Sequence, residues 1–110
     1  MSRYNTHIPA AIILAAAQAC GLAPADITGR SQRQAVSDAR HIAAYLLRQA
    51  GYPLPAIGLA LGRHHTTVMA SLRQHQALCQ HCQEFRGKAE AAQAAMGIIN
   101  FQEPAENQQA

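Results

Sequence analysis

The chain has 110 residues, of which 49% are hydrophobic and only 14% charged, and its net charge at neutral pH is +3. Aromatic residues make up 5% of the chain and tryptophan is absent, which disfavours a sheet, because sheets favour aromatic and β-branched side chains. The length fits a single domain with a modest core. We therefore expect one compact all-α protein.

The first predicted helix begins near Ile8 to Pro9 and ends at Cys20, before Gly21, which suits the left-handed residue after a helix end. Its apolar run, IPAAIILAAAQAC, is too short to span a bilayer, which needs roughly 20 residues. This run predicts a buried helix. Three cysteines, an odd number, and no recognisable secretory signal predict a reducing, cytoplasmic location without membrane association.

The next two segments are a loop and a long helix. The stretch LAPADITGRS predicts a loop that contains one short helical turn. The helix after it has the clearest pattern in the chain and ends at Gly51. Its apolar stripe consists of Val36, Ala39, Ala43, Leu46, Leu47 and Ala50.

Two short helices are predicted to meet at Gly62. The first begins at Pro55, with the sequence PAIGLAL, and the second begins within RHHTT, with Val68 and Leu72 facing inward. Two helices joined by a tight glycine turn, the second opening with polar residues, are typical of a helix-turn-helix.

The last predicted helix covers SLRQHQALCQHCQEFRGKAEAAQAAM, with a break expected at Gly87 and a flexible, polar tail after Gly97. The chain is thus divided into a helix-turn-helix domain, residues 1–86, and a C-terminal helical extension with a flexible tail, residues 87–110. The alanine-rich end of this helix either covers the chain's own core or offers a surface to a partner protein.

Basic charge is concentrated in the middle of the chain. The segment from Arg30 to Arg73 has six arginines and one acid, a net charge of +5, whereas the segment from Gly87 onward carries −2. This asymmetry favours an anionic partner for the middle segment, and the planar guanidinium suits phosphate and guanine. A solvated surface would explain the charge equally well.

The stretch GRHHTTVMAS, residues 62–71, places polar residues at a helix start. Such a start exposes unpaired N–H groups and the positive end of the helix dipole, where a phosphate binds well. In a helix-turn-helix, His65, Thr66 and Thr67 would also be placed to contact base edges in the major groove. The alternative is an ordinary helix cap with solvated neighbours.

The sequence gives weaker indications of a metal site or an active site than of DNA binding. His75, Cys79 and Cys82 share one helical face and could form part of a zinc site, but structural zinc takes four ligands. Cysteines in a packing seam are the favoured interpretation, so we expect no metal and no cofactor. There is no carboxylate pair, and no histidine has a plausible neighbouring nucleophile, so we expect no enzyme activity.

Taken in order, these segments resemble the C-terminal DNA-binding domain of the bacterial replication initiator DnaA. The segment ARHIAAYLLRQ, the segment LPAIGLALG, similar to the family's LPEIG…FG, and the segment RHHTTV, similar to the family's RDHTTV, carry the resemblance. It extends over roughly residues 8–76. It implies an all-helical helix-turn-helix fold akin to the Trp repressor, which binds a short asymmetric duplex site as a monomer.

The resemblance also implies a role for each matching position. His65, Thr66 and Thr67 match the base-contacting residues, and Arg63 matches the arginine of the turn. Arg40 heads the long helix, where a phosphate contact is expected, and either Arg30 or Arg33 would enter the minor groove. The complete predicted DNA-binding set is Arg30, Arg33, Arg40, Arg63, His64, His65, Thr66, Thr67, Ser71 and Arg73.

His64 departs from the family signature, which has an aspartate there. Because an aspartate accepts hydrogen bonds from cytosine, whereas an imidazole N–H prefers an acceptor, the preferred DNA site is expected to differ.

The sequence has no G-x-x-x-x-G-K-[ST] phosphate loop, so we expect a stand-alone module without the initiator's ATPase domain, with a fragment of a longer protein as the alternative. The predicted function is sequence-specific binding of double-stranded DNA by a small bacterial or phage regulator of replication initiation or transcription. The alternative is a non-catalytic protein-interaction module that binds the initiator machinery without specific DNA binding.

Overall fold

The computed structural model describes residues 7–99 of the chain, with the side chains of residues 8–96. All regular secondary structure in this part of the chain is helical, which confirms the predicted all-α class. Residues 100–110, most of the predicted flexible tail, lie outside the described residues. The helices are α1 (His7–Ala19), α2 (Pro24–Thr28), α3 (Gln34–Gln49), α4 (Leu54–Leu61), α5 (His65–His81) and α6 (Gln83–Ile99).

Helix α3 is the centre of the fold and packs against each of the other five helices. Its predicted apolar stripe is buried except for Ala50, which follows the helix as its exposed C-terminal cap. Ile42 and Ala44 are buried as well, so that α3 is apolar on more than one side. This wider apolar surface explains how one helix contacts neighbours all around it.

Helices α1 and α6 pack directly on each other, next to α3. Ile12 and Ala16 of α1 and Phe85 and Ala92 of α6 are buried in one common core. The many alanines on both helices leave room for a close approach of their backbones. No helix in the described part of the chain is both long and apolar enough to cross a membrane.

The break in the C-terminal helical region lies at Cys82, and the expectation of a break at Gly87 was wrong. Cys82 has extended backbone angles (φ −130°, ψ 106°), and its N–H donates to the carbonyl of Leu78. The Nε of Arg86 donates to the carbonyl oxygen of Cys79 over 2.8 Å, which satisfies one of the last carbonyls of α5. Helix α6 can therefore start in a new direction immediately after α5.

Because α6 begins at Gln83, it runs without interruption across the predicted boundary between residues 86 and 87. Phe85, before this boundary, and Met96, after it, are buried in the same core. The described part of the predicted extension therefore covers the chain's own core.

Candidate nucleic-acid interface

The turn between α4 and α5 depends on two glycines. Gly62 has left-handed backbone angles (φ 70°, ψ 34°), which favour glycine, and the N–H of Arg63 donates to the carbonyl oxygen of Gly58 over 2.8 Å. A Cβ atom on Gly58 would collide with the carbonyl oxygen of Arg63. The close approach of these backbones produces the tight joint that the sequence predicted, with α5 as the second helix of a helix-turn-helix.

His64 is the N-terminal cap of α5. Its Nδ1 atom accepts a hydrogen bond from the backbone N–H of Thr66 over 3.2 Å, and the carbonyl oxygen of His64 accepts from the N–H of Thr67 over 3.0 Å. The Oγ1 atom of Thr66 lies 2.9 Å from the same Nδ1. The rings of His64 and His65 lie side by side, 4.4 Å apart and tilted by 34°. His64 and Thr66, two of the predicted contact residues, therefore also form the cap.

The four polar residues from His64 to Thr67 are all exposed, whereas Val68, which follows them, is buried. Farther along α5, the exposed face continues with Ala70 and Arg73, which lie four and seven residues after Thr66. The side chain of Met69 is 40% exposed beside this face. Sequence reasoning had not singled out Met69 or Ala70, although their helical spacing from Thr66 was a usable signal.

Ser71 belongs to the predicted DNA-binding set, but its side chain faces the interior of the protein. It is buried, and its hydroxyl oxygen lies 3.0 Å from Nδ1 of His41 on α3. Burial lowers the pKa of His41, so that the neutral ring is favoured in this contact. Ser71 therefore joins α5 to α3, and its hydroxyl is not directed at the outer face of α5.

Arg40 also lies in the interior. Its Nε donates to the carbonyl oxygen of Ile27 over 2.8 Å and its Nη2 to that of Gly29 over 3.0 Å. Burial and the nearby charge of Arg63 lower the pKa of Arg40. Where the sequence predicted a phosphate contact, the structure shows a guanidinium that holds the loop between α2 and α3.

Arg63 reaches the same loop from the other side. Its Nη2 donates to the carbonyl oxygen of Gly29 over 2.6 Å, and its Nη1 donates to that of Gly62 over 3.0 Å. One carbonyl oxygen thus accepts hydrogen bonds from both Arg40 and Arg63, and neither guanidinium contacts a carboxylate in the described part of the chain. The loop, the turn and the start of α3 are therefore fixed relative to one another.

The remaining predicted arginines are exposed. Arg30 follows the anchored Gly29 directly, and Arg33 is the residue before α3. Arg73 lies on the outer face of α5. Within residues 8–96, none of these three side chains makes a hydrogen bond or ion pair, so their charges are available to an external anion.

The cysteine and histidine face of α5 is a packing seam. His75 is buried, stacks on Tyr45 with ring centres 4.1 Å apart, and meets Phe85 edge-on. Burial, with a smaller effect of His41, lowers the pKa of His75 to about 4. Burial also raises the pKa of the Cys79 thiol, which disfavours the thiolate that binds metal. Among the described residues, no three histidine, cysteine or acidic side chains are arranged to hold a metal ion.

The protein-family model described as the bacterial DnaA protein helix-turn-helix matches residues 9–74 of this chain. The chromosomal replication initiator protein DnaA of Picosynechococcus sp. is 46% identical over 70 residues, which cover 62% of this chain and 16% of that protein. The DnaA protein of Thermus thermophilus is 37% identical over 81 residues, which cover 72% of this chain and 19% of that protein.

An 8-amino-7-oxononanoate synthase of Trichlorobacter lovleyi is 35% identical over 75 residues, which cover 64% of this chain and 19% of that protein. The chain thus spans less than a fifth of the length of each of these three relatives. The family match begins in α1 and ends within α5, and so includes the whole turn and the exposed helix start described above. The chain belongs to the bacterial DnaA helix-turn-helix family, a family of DNA-binding domains.

Proposed function

We propose that this chain binds a specific double-stranded DNA site with the first turn of α5 in the major groove, and that it regulates replication initiation or transcription by occupying that site. The observation that carries the proposal is the exposed group His65, Thr66 and Thr67 at the start of α5, in a chain of this family. Each of these side chains has hydrogen-bonding atoms directed away from the core.

The base contacts follow from the chemistry of these side chains. A threonine methyl group packs against the methyl group of thymine, while its hydroxyl binds a base edge or a phosphate. The His65 ring offers a nitrogen donor or acceptor. Because Val68 is buried in the core and Gly62 forms the turn, the backbone that carries these groups is anchored on both sides of them.

The phosphate contacts belong to the exposed arginines. Arg73 lies one turn beyond Met69 on the outer side of α5, at a distance along the helix that suits the edge of the groove. Arg30 or Arg33, on the loop before α3, would enter the minor groove. Gly29, whose carbonyl oxygen is held by two guanidinium groups, immediately precedes Arg30 and limits the positions that Arg30 can reach.

The decisive experiment measures binding to duplex DNA that carries the initiator's binding site, to a scrambled duplex and to bulk DNA across a salt series. We expect the logarithm of the binding constant to fall by about 0.9 per phosphate contact for each tenfold rise in salt. The initiator's site should bind more tightly than scrambled DNA. Absence of salt-sensitive binding at low ionic strength would contradict the proposal.

Two variants separate base contacts from phosphate contacts. Thr67→Ala should lower the preference for the best site by about 1–3 kcal/mol, if its contact is as strong as a good base contact. Arg73→Ala should weaken binding to all duplexes alike and reduce the salt dependence by about one phosphate contact. Equal losses from both variants on every duplex would show that bases are not distinguished. Arg40→Ala is unsuitable for this comparison because Arg40 holds the loop between α2 and α3, so its loss would also alter the structure.

One observation favours the alternative of a protein-interaction module. Leu59 on α4 is 85% exposed, next to the helix-turn-helix joint. The apolar side of α6, by contrast, is used in the core. A module that binds the initiator through Leu59 should retain that binding after Thr67→Ala and lose it after Leu59→Ser, with no salt-sensitive binding to DNA. Direct titration with the purified initiator protein tests both variants.

A further inference from the structure

The hydrogen bonds at the start of α5 determine which nitrogen of His64 carries the proton. A backbone N–H can only donate, so the Nδ1 atom that accepts from the N–H of Thr66 must have a free lone pair. In a neutral imidazole, the proton then lies on Nε2. His64 is exposed, and Nε2 makes no hydrogen bond to any residue in the described part of the chain. The helix cap thus leaves an N–H donor on the outer side of the ring.

The same contact orients Thr66. Its Oγ1 lies 2.9 Å from Nδ1. Because Nδ1 is unprotonated in this form of the ring, the hydroxyl donates to it and shares its single lone pair with the backbone N–H of Thr66, so the lone pairs of Oγ1 remain available. The first turn of α5 therefore presents a donor, Nε2–H of His64, beside an acceptor, Oγ1 of Thr66. Both side chains are exposed on the helix start that we place in the major groove.

We propose that His64 is a specificity-determining residue, which donates Nε2–H to an acceptor on one base edge in the major groove and thereby excludes cytosine at that position. This inference rests on the proposed DNA binding. Adenine, guanine and thymine each present an acceptor in the major groove, namely N7, N7 with O6, and O4, whereas cytosine presents only the N4 amino donor. An N–H donor opposite cytosine would leave two donors facing each other.

Aspartate and asparagine form a matched pair for testing this role. Both cap a helix with a side-chain oxygen, so both replace the contact from Nδ1 to Thr66. Asparagine then retains an outward N–H donor, whereas aspartate presents a second acceptor. His64→Asn and His64→Asp therefore differ in the outward group while the cap is preserved.

The experiment selects binding sites from a randomised duplex library with the wild-type chain, His64→Asn and His64→Asp, followed by affinity measurements on the selected sites. We expect the wild type and His64→Asn to disfavour cytosine at the same position by about five- to tenfold, the effect of one hydrogen bond. His64→Asp should come to prefer cytosine there. Because each preference is a ratio within one variant, the added negative charge does not affect the comparison.

Identical preferences for His64→Asn and His64→Asp at every position would overturn the inference, even if both bind DNA. Salt-sensitive binding by the wild type without any base preference would also overturn it, while leaving phosphate binding intact. If the wild type binds no DNA at all, the proposed function itself fails. Circular dichroism melting of each variant checks that the cap, and with it the fold, is retained.

Nuclear magnetic resonance of the free protein gives an independent test. In a ¹⁵N-labelled sample, long-range correlations between ring protons and nitrogens distinguish the two neutral forms of His64. We expect the proton on Nε2. A proton on Nδ1 in the neutral ring would contradict the hydrogen bond from Thr66 and remove the basis of the inference.

Discussion

The first turn of α5 and its middle turns hold histidines in opposite ways. At the start of the helix, His64 and His65 are exposed and have ring nitrogens available to solvent. Near the middle, His75 is buried between Tyr45 and Phe85 and takes part in ring stacking. One helix thus uses the same side chain as a polar group at one point and as an aromatic packing group at another.

Access to water accounts for the difference. A buried imidazole that gains a proton loses hydration, so its neutral form is favoured and the ring behaves like a small aromatic side chain. An exposed imidazole keeps its hydrogen-bonding capacity for a cap or a ligand. The number of histidines in a helix therefore says little about function until the buried and the exposed ones are separated.

The largest expected effect concerns the joint that forms the first turn of α5. Gly58→Ala should lower the free energy of unfolding by about 3 kcal/mol, because the new Cβ has no room beside the backbone carbonyl of Arg63. Urea denaturation measures the loss. Gly87→Ala in α6 is the matched control, since its Cβ would meet no other atom within 4 Å, and it should stabilise the helix slightly. Equal effects of the two substitutions would contradict the tight joint.

The second prediction concerns the middle of α5. The folded chain protonates His75 only near pH 4, whereas an unfolded chain does so near its ordinary value of 6.5. Between these values the unfolded state binds more protons, so stability is fully present above pH 6.5 and falls as the pH is lowered towards 4, by about 3 kcal/mol.

His75→Phe should retain the stacking and reduce this pH dependence, as measured by urea denaturation at several pH values. Any dependence due to His41, whose pKa is also lowered by burial, would remain. His65→Gln, at the exposed end of the helix, serves as the control and should leave the dependence as in the wild type. A similar reduction in both variants would contradict the contrast between the start and the middle of α5.

The third prediction tests how the turn is held. Arg63→Ala removes two hydrogen bonds to backbone carbonyls and should lower the free energy of unfolding by about 1.5–2 kcal/mol, the lower part of the range for a hydrogen bond made by a charged group. Arg73→Ala, which removes an exposed guanidinium without a hydrogen bond in the described part of the chain, should change it by less than about 0.5 kcal/mol. Thermal and urea denaturation measure the two losses of stability. A loss in Arg73→Ala as large as that in Arg63→Ala would contradict the prediction.

The smallest expected effect concerns the cap. His64→Ala should destabilise the chain by about 1 kcal/mol because the N–H of Thr66 loses its acceptor, whereas His64→Asn should restore most of this loss. Hydrogen exchange of the Thr66 amide provides the local measurement. Unchanged protection of this amide in His64→Ala would show that the ring does not act as a cap.

Local patterns were sufficient to predict much of the fold. The apolar spacing in α3, the glycine at the turn and the polar helix start at residues 64–67 all lie within a few residues of one another, so they are visible in the sequence. The family resemblance connected these features with DNA binding. The assignment of individual residues to DNA contacts stays a prediction.

The features that sequence reasoning missed depend on residues far apart in the chain. Arg40 binds a carbonyl 11 residues earlier, and His41 binds a serine 30 residues later, and neither pair has a periodic signature. The break lies at Cys82, beside the hydrogen bond from Arg86 to Cys79, at a position that has neither glycine nor proline. Burial by tertiary packing, rather than residue type, determined these roles.

The shared carbonyl of Gly29 has a consequence for how mutations combine. Arg40 holds it from α3 and Arg63 holds it from the turn, so either arginine alone still leaves the oxygen with a donor. The double substitution leaves it with neither, and a double-mutant cycle should show a loss larger than the sum of the single losses. The loop between α2 and α3 and the start of α5 would then lose their common attachment together.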